Sequence, residues 1–297
     1  MIHHTLCPIC SSSNIKEVFR VKDHTVSGEV FPIFMCGDCT ARFTQDVAEE
    51  NEIGKYYQSA SYISHSDTQE GIVNKLYHAV RKRTLESKRK IVEKYAARSG
   101  GHLLDIGAGT GAFVKTIRDA GWEVTGVEPD AAVRVTALAQ NNVLLETTEA
   151  LELFEENKFD AITMWHVLEH VHRLHAYCNT INRILNKNGV LIVAVPNYTS
   201  ADADYYQEHW AAYDVPRHLY HFSPKSMHVL MKGHGFEVME MLPMWFDSSY
   251  VSMLSEQYKT GKSNFVSALW QGMASNAKAL GKKELCSSVI YICKKKY

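Results

Sequence analysis

An α/β fold is what this sequence predicts: a doubly wound, Rossmann-like sheet behind a small cysteine-rich N-terminal module. Three observations carry that reading. After Gly101, short apolar runs alternate with amphipathic stretches, the pattern of strands joined by crossover helices. The first run, Leu103-Leu104-Asp105-Ile106, opens straight into Gly107-Ala108-Gly109-Thr110-Gly111, where glycine lets a strand turn tightly into a helix. Two Cys-x-x-Cys pairs stand ahead of this region, Cys7-Pro8-Ile9-Cys10 and Cys36-Gly37-Asp38-Cys39.

The elements follow in chain order. Residues 1–45 hold the cysteine pairs, with strand-like pieces at 18–21 and 31–35 between them. Each pair can supply half of a tetrahedral zinc site, so Cys7, Cys10, Cys36 and Cys39 are expected to form a zinc ribbon. Four sulfurs close the shell, which assigns the metal to folding rather than chemistry. Residues 46–100 form a helical linker or cap. Its first part is polar and carries Tyr56, Tyr57 and Tyr62, candidates to close over a ligand. From about 70 to 97, Ile72, Leu76, Val80, Leu85, Ile91, Val92 and Tyr95 recur at helical spacing, and Ser99-Gly100-Gly101 ends the helix. Its basic runs, Arg81-Lys82-Arg83 and Lys88-Arg89-Lys90, read as a solvated face, with phosphate recognition as the sharper alternative.

Residues 101–297 form the main domain. Strands are expected at about 102–106, 122–127, 143–146, 159–164 and 189–195, and helices at about 111–120, 130–140, 172–186 and 224–234. Residues 236–242 and 287–293 look like two further strands. Between them, 247–284 is expected to be a lid insert, with Phe265, Leu269, Trp270, Met273, Ala277 and Leu280 in a loosely helical pattern. Cys178, Cys286 and Cys293 read as small buried apolar residues.

Composition narrows the function. At 297 residues, with 45% hydrophobic and 22% charged residues, the chain has the makeup of a globular protein. A formal net charge of −1 creates no global field for nucleic acid or anionic membrane. No apolar run approaches the ~20 residues that span a bilayer. The N-terminus lacks a secretory pattern, and paired cysteines of metal-binding spacing point to a reducing, cytoplasmic setting.

The glycine turn and the acids around it describe a small-molecule site. A phosphate-gripping loop carries Lys-Ser or Lys-Thr after its last glycine, whereas Gly111 is followed by Ala112-Phe113. Asp105, just before the turn, would repel a pyrophosphate and suits a ligand bearing an ammonium group. Glu128 ends the next apolar run, Val124-Thr125-Gly126-Val127, where an acid can accept hydrogen bonds from a ribose diol. These features together describe a pocket for S-adenosylmethionine (SAM).

Four stretches, in order, resemble the class I SAM-dependent methyltransferase family. They are Leu104–Gly111; Gly126-Val127-Glu128-Pro129-Asp130; Phe159-Asp160-Ala161-Ile162-Thr163-Met164-Trp165-His166-Val167-Leu168-Glu169-His170-Val171; and Leu185-Asn186-Lys187-Asn188-Gly189-Val190-Leu191-Ile192-Val193. The resemblance implies a seven-stranded sheet whose last strand is antiparallel and inserted beside the sixth. It implies that Asp105, Gly107, Ala108, Gly109 and Gly111 hold the methionine part, that Glu128 and Pro129 meet the ribose, and that Thr148 lies near the adenine. Trp165 and His166 would face the methyl donor.

The acceptor side is expected at His166, Glu169 and His170, with His218 and His221 from Pro216-Arg217-His218-Leu219-Tyr220-His221-Phe222. Such a cluster can supply a general base or a divalent metal site that lowers the pKa of an acceptor hydroxyl. It resembles the Glu-x-x-Glu-His metal site of quinone-biosynthesis and small-RNA methyltransferases, with His166 in place of the first Glu. His-x-x-Glu-His is also an inverted zinc-peptidase motif, but here it follows a strand inside a methyltransferase frame. The leading expectation is O-methylation of a small or carrier-linked metabolite, such as a sugar or a quinone or lipid precursor. The alternatives are a ribosomal- or transfer-RNA methyltransferase whose ribbon contacts RNA, and a SAM-binding scaffold that docks through the ribbon.

Overall fold

A computed structural model describes residues 1–58, 72–261, 272, 275–276 and 281–296, with backbone alone at 72–80, 246 and 249. The expectations placed on Tyr62, Phe265, Leu269, Trp270, Met273, Ala277 and Leu280, and on the side chains of Ile72, Leu76 and Val80, lie outside the described residues.

The N-terminal hairpin pairs β1 (Ile15–Lys22) with β2 (Val30–Cys36), and β2 pairs with a short β3 (Arg42–Thr44). The fourth strand of this sheet comes from far along the chain. It is β8 (Tyr220–His221), antiparallel to β3. The 25-residue helix α1 (Ile72–Ala96) leads into the main sheet and stops as Ala97 turns left-handed.

The main sheet has the order β5-β4-β6-β7-β10-β9. Strands β4 (His102–Ile106), β5 (Glu123–Val127), β6 (Phe159–Trp165) and β7 (Leu185–Pro196) are parallel. β10 (Ser288–Lys295) runs antiparallel between β7 and β9 (Phe236–Pro243). The helices are α2 (Ala112–Asp119), α3 (Ala131–Asn141), α4 (Leu174–Ile184), α5 (Ala201–Tyr206), α6 (Pro224–Gly233) and α7 (Trp245–Thr260).

Strand alternation builds two cores. Leu191, Val193 and Val195 of β7 face α4, α6 and the cysteine module, whereas Val190, Ile192 and Ala194 face α1 and α2. Cys178, Cys286 and Cys293 are buried apolar residues, and burial pushes the Cys178 thiol up to about 12.

The expected strand at 143–146 is not formed, so among the described residues the sheet has six strands rather than seven. Only Glu146 exchanges backbone hydrogen bonds with the edge, at Gly126 and Glu128. Val143 and Leu145 pack beneath Gly111 and Gly126, while Leu144 is 81% exposed. The run is too short to continue a ladder once its side chains are anchored. Helix α5 was not anticipated; it starts where the Ser200 hydroxyl caps the Ala203 N–H.

Candidate functional site

The C-terminal ends of β4, β5 and β6 gather the predicted cofactor residues. Gly107, Gly109 and Gly111 all have positive φ. At Gly107 the constraint is also steric, because a Cβ would lie 2.3 Å from Val167 Cγ2. A Cβ at Gly109 would meet nothing within 4 Å, which leaves open space above the loop.

Asp105 is almost fully buried and accepts a hydrogen bond from the Thr163 hydroxyl at 2.6 Å. Burial lifts its carboxyl to about 7, and the field of Glu128 adds to the rise while Thr163 and Lys88 oppose it. Glu128 accepts from the Gly109 N–H at 2.9 Å and the Asp130 N–H at 3.1 Å, and burial raises its carboxyl as well. The charge of Glu128 thus reaches Asp105. Asp130 caps α3 through the Ala132 and Val133 N–H groups, and Arg134 donates to the carbonyls of Glu128 and Pro129. Thr148 follows the Glu146 bridge by two residues, and its carbonyl accepts from the Leu151 N–H at 3.2 Å. Trp165 ends β6 with its ring edge-on to Phe113 and the Lys88 ammonium 4.5 Å from its centre.

His166 follows in a left-handed conformation, φ 59°. Its Nε2 lies 2.8 Å from Asp247 Oδ2, and its Nδ1 lies 3.4 Å from Glu169 Oε1. Burial disfavours the charged ring, but the two carboxylates outweigh it and lift the imidazole to about 10. Asp247 sits in the first turn of α7 and carried no motif in the sequence. Glu169 is fully buried, and neither of its oxygens has a hydrogen-bond partner.

His170 and His218 complete a compact group with Glu169, their ligand-type atoms within 4.8 Å of one another. His170 Nδ1 lies 3.0 Å from the Arg217 carbonyl, and His218 Nδ1 lies 2.8 Å from the Ala212 carbonyl. A carbonyl only accepts, so each Nδ1 carries a proton; the neutral His170 ring then presents a lone pair at Nε2, whereas His218 Nε2 lies 4.0 Å from Asp214 Oδ2. Burial pulls His170 down to about 4, with His218 adding to the shift. Tyr57 also reaches His170, at 3.1 Å, whereas Tyr56 donates to Glu29. His221 stands apart: its Nε2 is 3.0 Å from Thr44 Oγ1 and its ring packs edge-on to Tyr213.

The loop that supplies His218 is held by the cysteine module. The Thr44 hydroxyl donates to the His218 carbonyl at 2.7 Å, and the Thr44 N–H donates to the Leu219 carbonyl at 2.9 Å. Arg217 is buried; it donates to Asp23 in the turn after β1, to Asp214 and to the Tyr56 carbonyl. The four cysteines stand with Cys7 and Cys39 sulfurs 3.5 Å apart and Cys10 and Cys36 sulfurs 3.6 Å apart. A tetrahedron with Zn–S bonds of ~2.3 Å has sulfur–sulfur edges of ~3.8 Å, so the cluster is compatible with a zinc ribbon. Both knuckles share one backbone turn. Ser11 and Thr40, each just after the second cysteine, have positive φ and donate to the carbonyl of the first.

Sheet order, glycine turn and paired acids define a class I SAM-dependent methyltransferase. The chain belongs to the methyltransferase-domain family, whose model matches residues 77–241, more than half of its length. It is 25% identical over 190 residues to the demethylmenaquinone methyltransferase of Tropheryma whipplei (strain Twist), covering 61% of this chain and 73% of that protein. It is 27% identical over 161 residues to the ubiquinone biosynthesis O-methyltransferase of Azorhizobium caulinodans, covering 50% and 63%. Its fold is similar to magnesium protoporphyrin IX methyltransferase from Synechocystis, solved with bound S-adenosylhomocysteine. That match has a TM-score of 0.54 and 14% identity, over 84% of this chain and all of the other. No described helix is long and apolar enough to cross a membrane.

One consequence is direct. Gly107→Ala places a methyl group against Val167 and forces a left-handed alanine, which costs about 1–2 kcal/mol before the clash is counted. SAM affinity is expected to fall at least tenfold by calorimetry, about 1.4 kcal/mol.

Proposed function

We propose that this chain moves the SAM methyl group to an oxygen of a small or carrier-linked metabolite, such as a sugar or a quinone or lipid precursor. The observation that supports this is the Glu169, His170 and His218 group. It offers a buried carboxylate, met by His166 Nδ1 at 3.4 Å, beside two imidazoles whose Nδ1 atoms face carbonyls. One carboxylate and two imidazoles suit a first-row divalent cation, and the carbonyls behind both rings are the partners that orient such ligands. When bound there, a divalent ion would lower the pKa of an acceptor hydroxyl. His166, which replaces the first Glu of the metal-binding pattern, is drawn to Asp247 and is no part of the ligand group.

In this reading the Asp105 carboxylate takes the ammonium of SAM. The backbone of Gly107, Ala108, Gly109 and Gly111 makes room for the methionine chain. Glu128 and Pro129 border the ribose, Thr148 the adenine, and Trp165 the methyl group. Both ring nitrogens of His166 are engaged by carboxylates, so it orients the acceptor rather than removing its proton. His221 supports the loop through Thr44. Zinc in the Cys7, Cys10, Cys36 and Cys39 site is structural. Residues 1–45 act as the ribbon, 46–100 as a linker and cap, and 101–297 as the methyltransferase domain, with α7 opening the lid insert near 247–284. The relatives named for quinone pathways and the near-neutral charge support a small acceptor over RNA.

The test combines elemental analysis after manganese(II) loading with product analysis. Wild type should hold one ion beyond the ribbon's, and Glu169→Gln should lose it together with turnover. Hydroxylated quinone precursors and nucleotide-linked sugars are the acceptors to try, with mass spectrometry locating the new methyl group. Equal metal content in both proteins would remove the metal from the proposal. A methyl group found on carbon or nitrogen would remove the oxygen.

A further inference from the structure

Helix α1 carries a basic stretch that its sequence leaves undivided, and the fold separates it into three parts. Arg89 is taken up by Glu86 and Glu93 on the same helix. Lys82, Arg83 and Lys90 are exposed. Arg81 and Lys88 lie seven residues apart, two turns on, and so share one face. That face is turned to the cofactor loop. Arg81 Nη2 donates to Thr110 Oγ1 at 3.3 Å, inside the glycine turn. Lys88 is half-buried, with its ammonium 4.5 Å from the centre of the Trp165 ring. Leu85 and Val92, on the same helix, pack into the core.

Lys88 has no hydrogen-bond acceptor and no carboxylate at ion-pair distance among the described residues. Asp105 and Asp247 act on it only through their fields, while burial holds its ammonium below the ordinary lysine range. A partly desolvated cation met only by an aromatic face still lacks a counter-ion, and a ligand anion can supply it. The anion is identified by what must sit beside it. Lys88 stands over Trp165, two residues along β6 from the Thr163 that holds Asp105, so a ligand whose ammonium meets Asp105 brings the neighbouring groups of the same carbon toward Lys88. In an α-amino acid that neighbour is a carboxylate.

We propose that Lys88 binds the α-carboxylate of SAM, from the same face of α1 on which Arg81 braces the glycine loop. This rests on the reading of Asp105 and the glycine turn as the methionine end of the cofactor site. Lys88 is thereby a cofactor-binding residue delivered by the segment before the main sheet, while Lys82, Arg83 and Lys90 remain on the exposed face.

The test measures two ligands by calorimetry on the full chain: S-adenosylhomocysteine, and 5′-methylthioadenosine, which keeps nucleoside and sulfur but lacks the amino-acid end. Lys88→Met should weaken S-adenosylhomocysteine by about 10- to 100-fold, the range of a hydrogen bond to a charged group, and leave methylthioadenosine unchanged. Lys88→Arg should recover most of the loss. Equal binding of S-adenosylhomocysteine by wild type and Lys88→Met would overturn the proposal. So would an equal loss for both ligands, which marks general damage to the site. If Lys88→Met leaves cofactor affinity intact and raises only the KM of the acceptor, the anion belongs to the acceptor and the proposal also falls. Failure of the wild type to bind either ligand would instead refute the cofactor site itself.

Discussion

Asp105→Ala and Glu128→Ala should each abolish measurable SAM binding, whereas His166→Ala should leave affinity close to wild type and lower turnover. Calorimetry and initial rates check the two halves. The reason lies in the different charges met by the cofactor. In the proposed site Asp105 would face the ammonium and Glu128 the ribose hydroxyls, and both acids are buried. Unchanged affinity in both acid variants would remove the site.

The Asp105 carboxyl, raised by burial to about 7, also predicts a pH dependence. Below that value the group carries a proton, and an ammonium ligand must expel it on binding. SAM affinity should therefore rise between pH 6 and 8, with a limiting slope of about tenfold per unit on the acid side. Asp105→Asn should be weak and flat across that range. Stability without ligand runs the other way. The folded-state pKa is above the ordinary aspartate value of 3.8, so the folded protein binds the extra proton, and the contribution of this carboxyl is lost as pH climbs toward 7. Relative to wild type, ligand-free Asp105→Asn should gain melting temperature from pH 4 to 8.

Zinc removal, or Cys36→Ser, should cost more turnover than cofactor affinity. The cysteines share a core with the inner face of the main sheet, β3 pairs with β8, Thr44 holds the His218 and Leu219 backbone, and Asp23 anchors Arg217. The β3–β8 pairing, the Thr44 bonds and the Asp23–Arg217 pair all end on the loop around His218, and none of these three touches the glycine turn. Structural zinc stabilises isolated finger peptides by about 10–16 kcal/mol, an upper bound for a module that also has its own strand pairing. The expected result is an early melting transition and a drop in turnover of about 10- to 100-fold, the scale of losing support behind ligating side chains, with SAM affinity nearly unchanged. Turnover that survives full loss of zinc would show that the loop stands without the ribbon.

Local chemistry made much of this protein legible in the sequence. The glycine turn, the acids at 105 and 128, the alternation of β4 through β7 and the two cysteine knuckles each depend on neighbouring residues. Positive φ, strand period and chelate spacing are all short-range properties. The third strand was misread for the same reason. Val143-Leu144-Leu145-Glu146 has strand-like composition, but two of its side chains are drawn beneath glycines and only one residue pairs.

What the sequence alone determined is the cofactor half of the molecule, because its residues lie within a few positions of the strand ends that present them. The tertiary structure alone decided the rest. It brought Asp247 to His166 and His218 to Glu169. It turned Lys88 inward from an apparently solvated run, and it made the cysteine module a support for the acceptor loop. Those partners are far apart in the chain, and only closure of the sheets sets their distance. Charge and burial at each of them follow from that distance rather than from residue type.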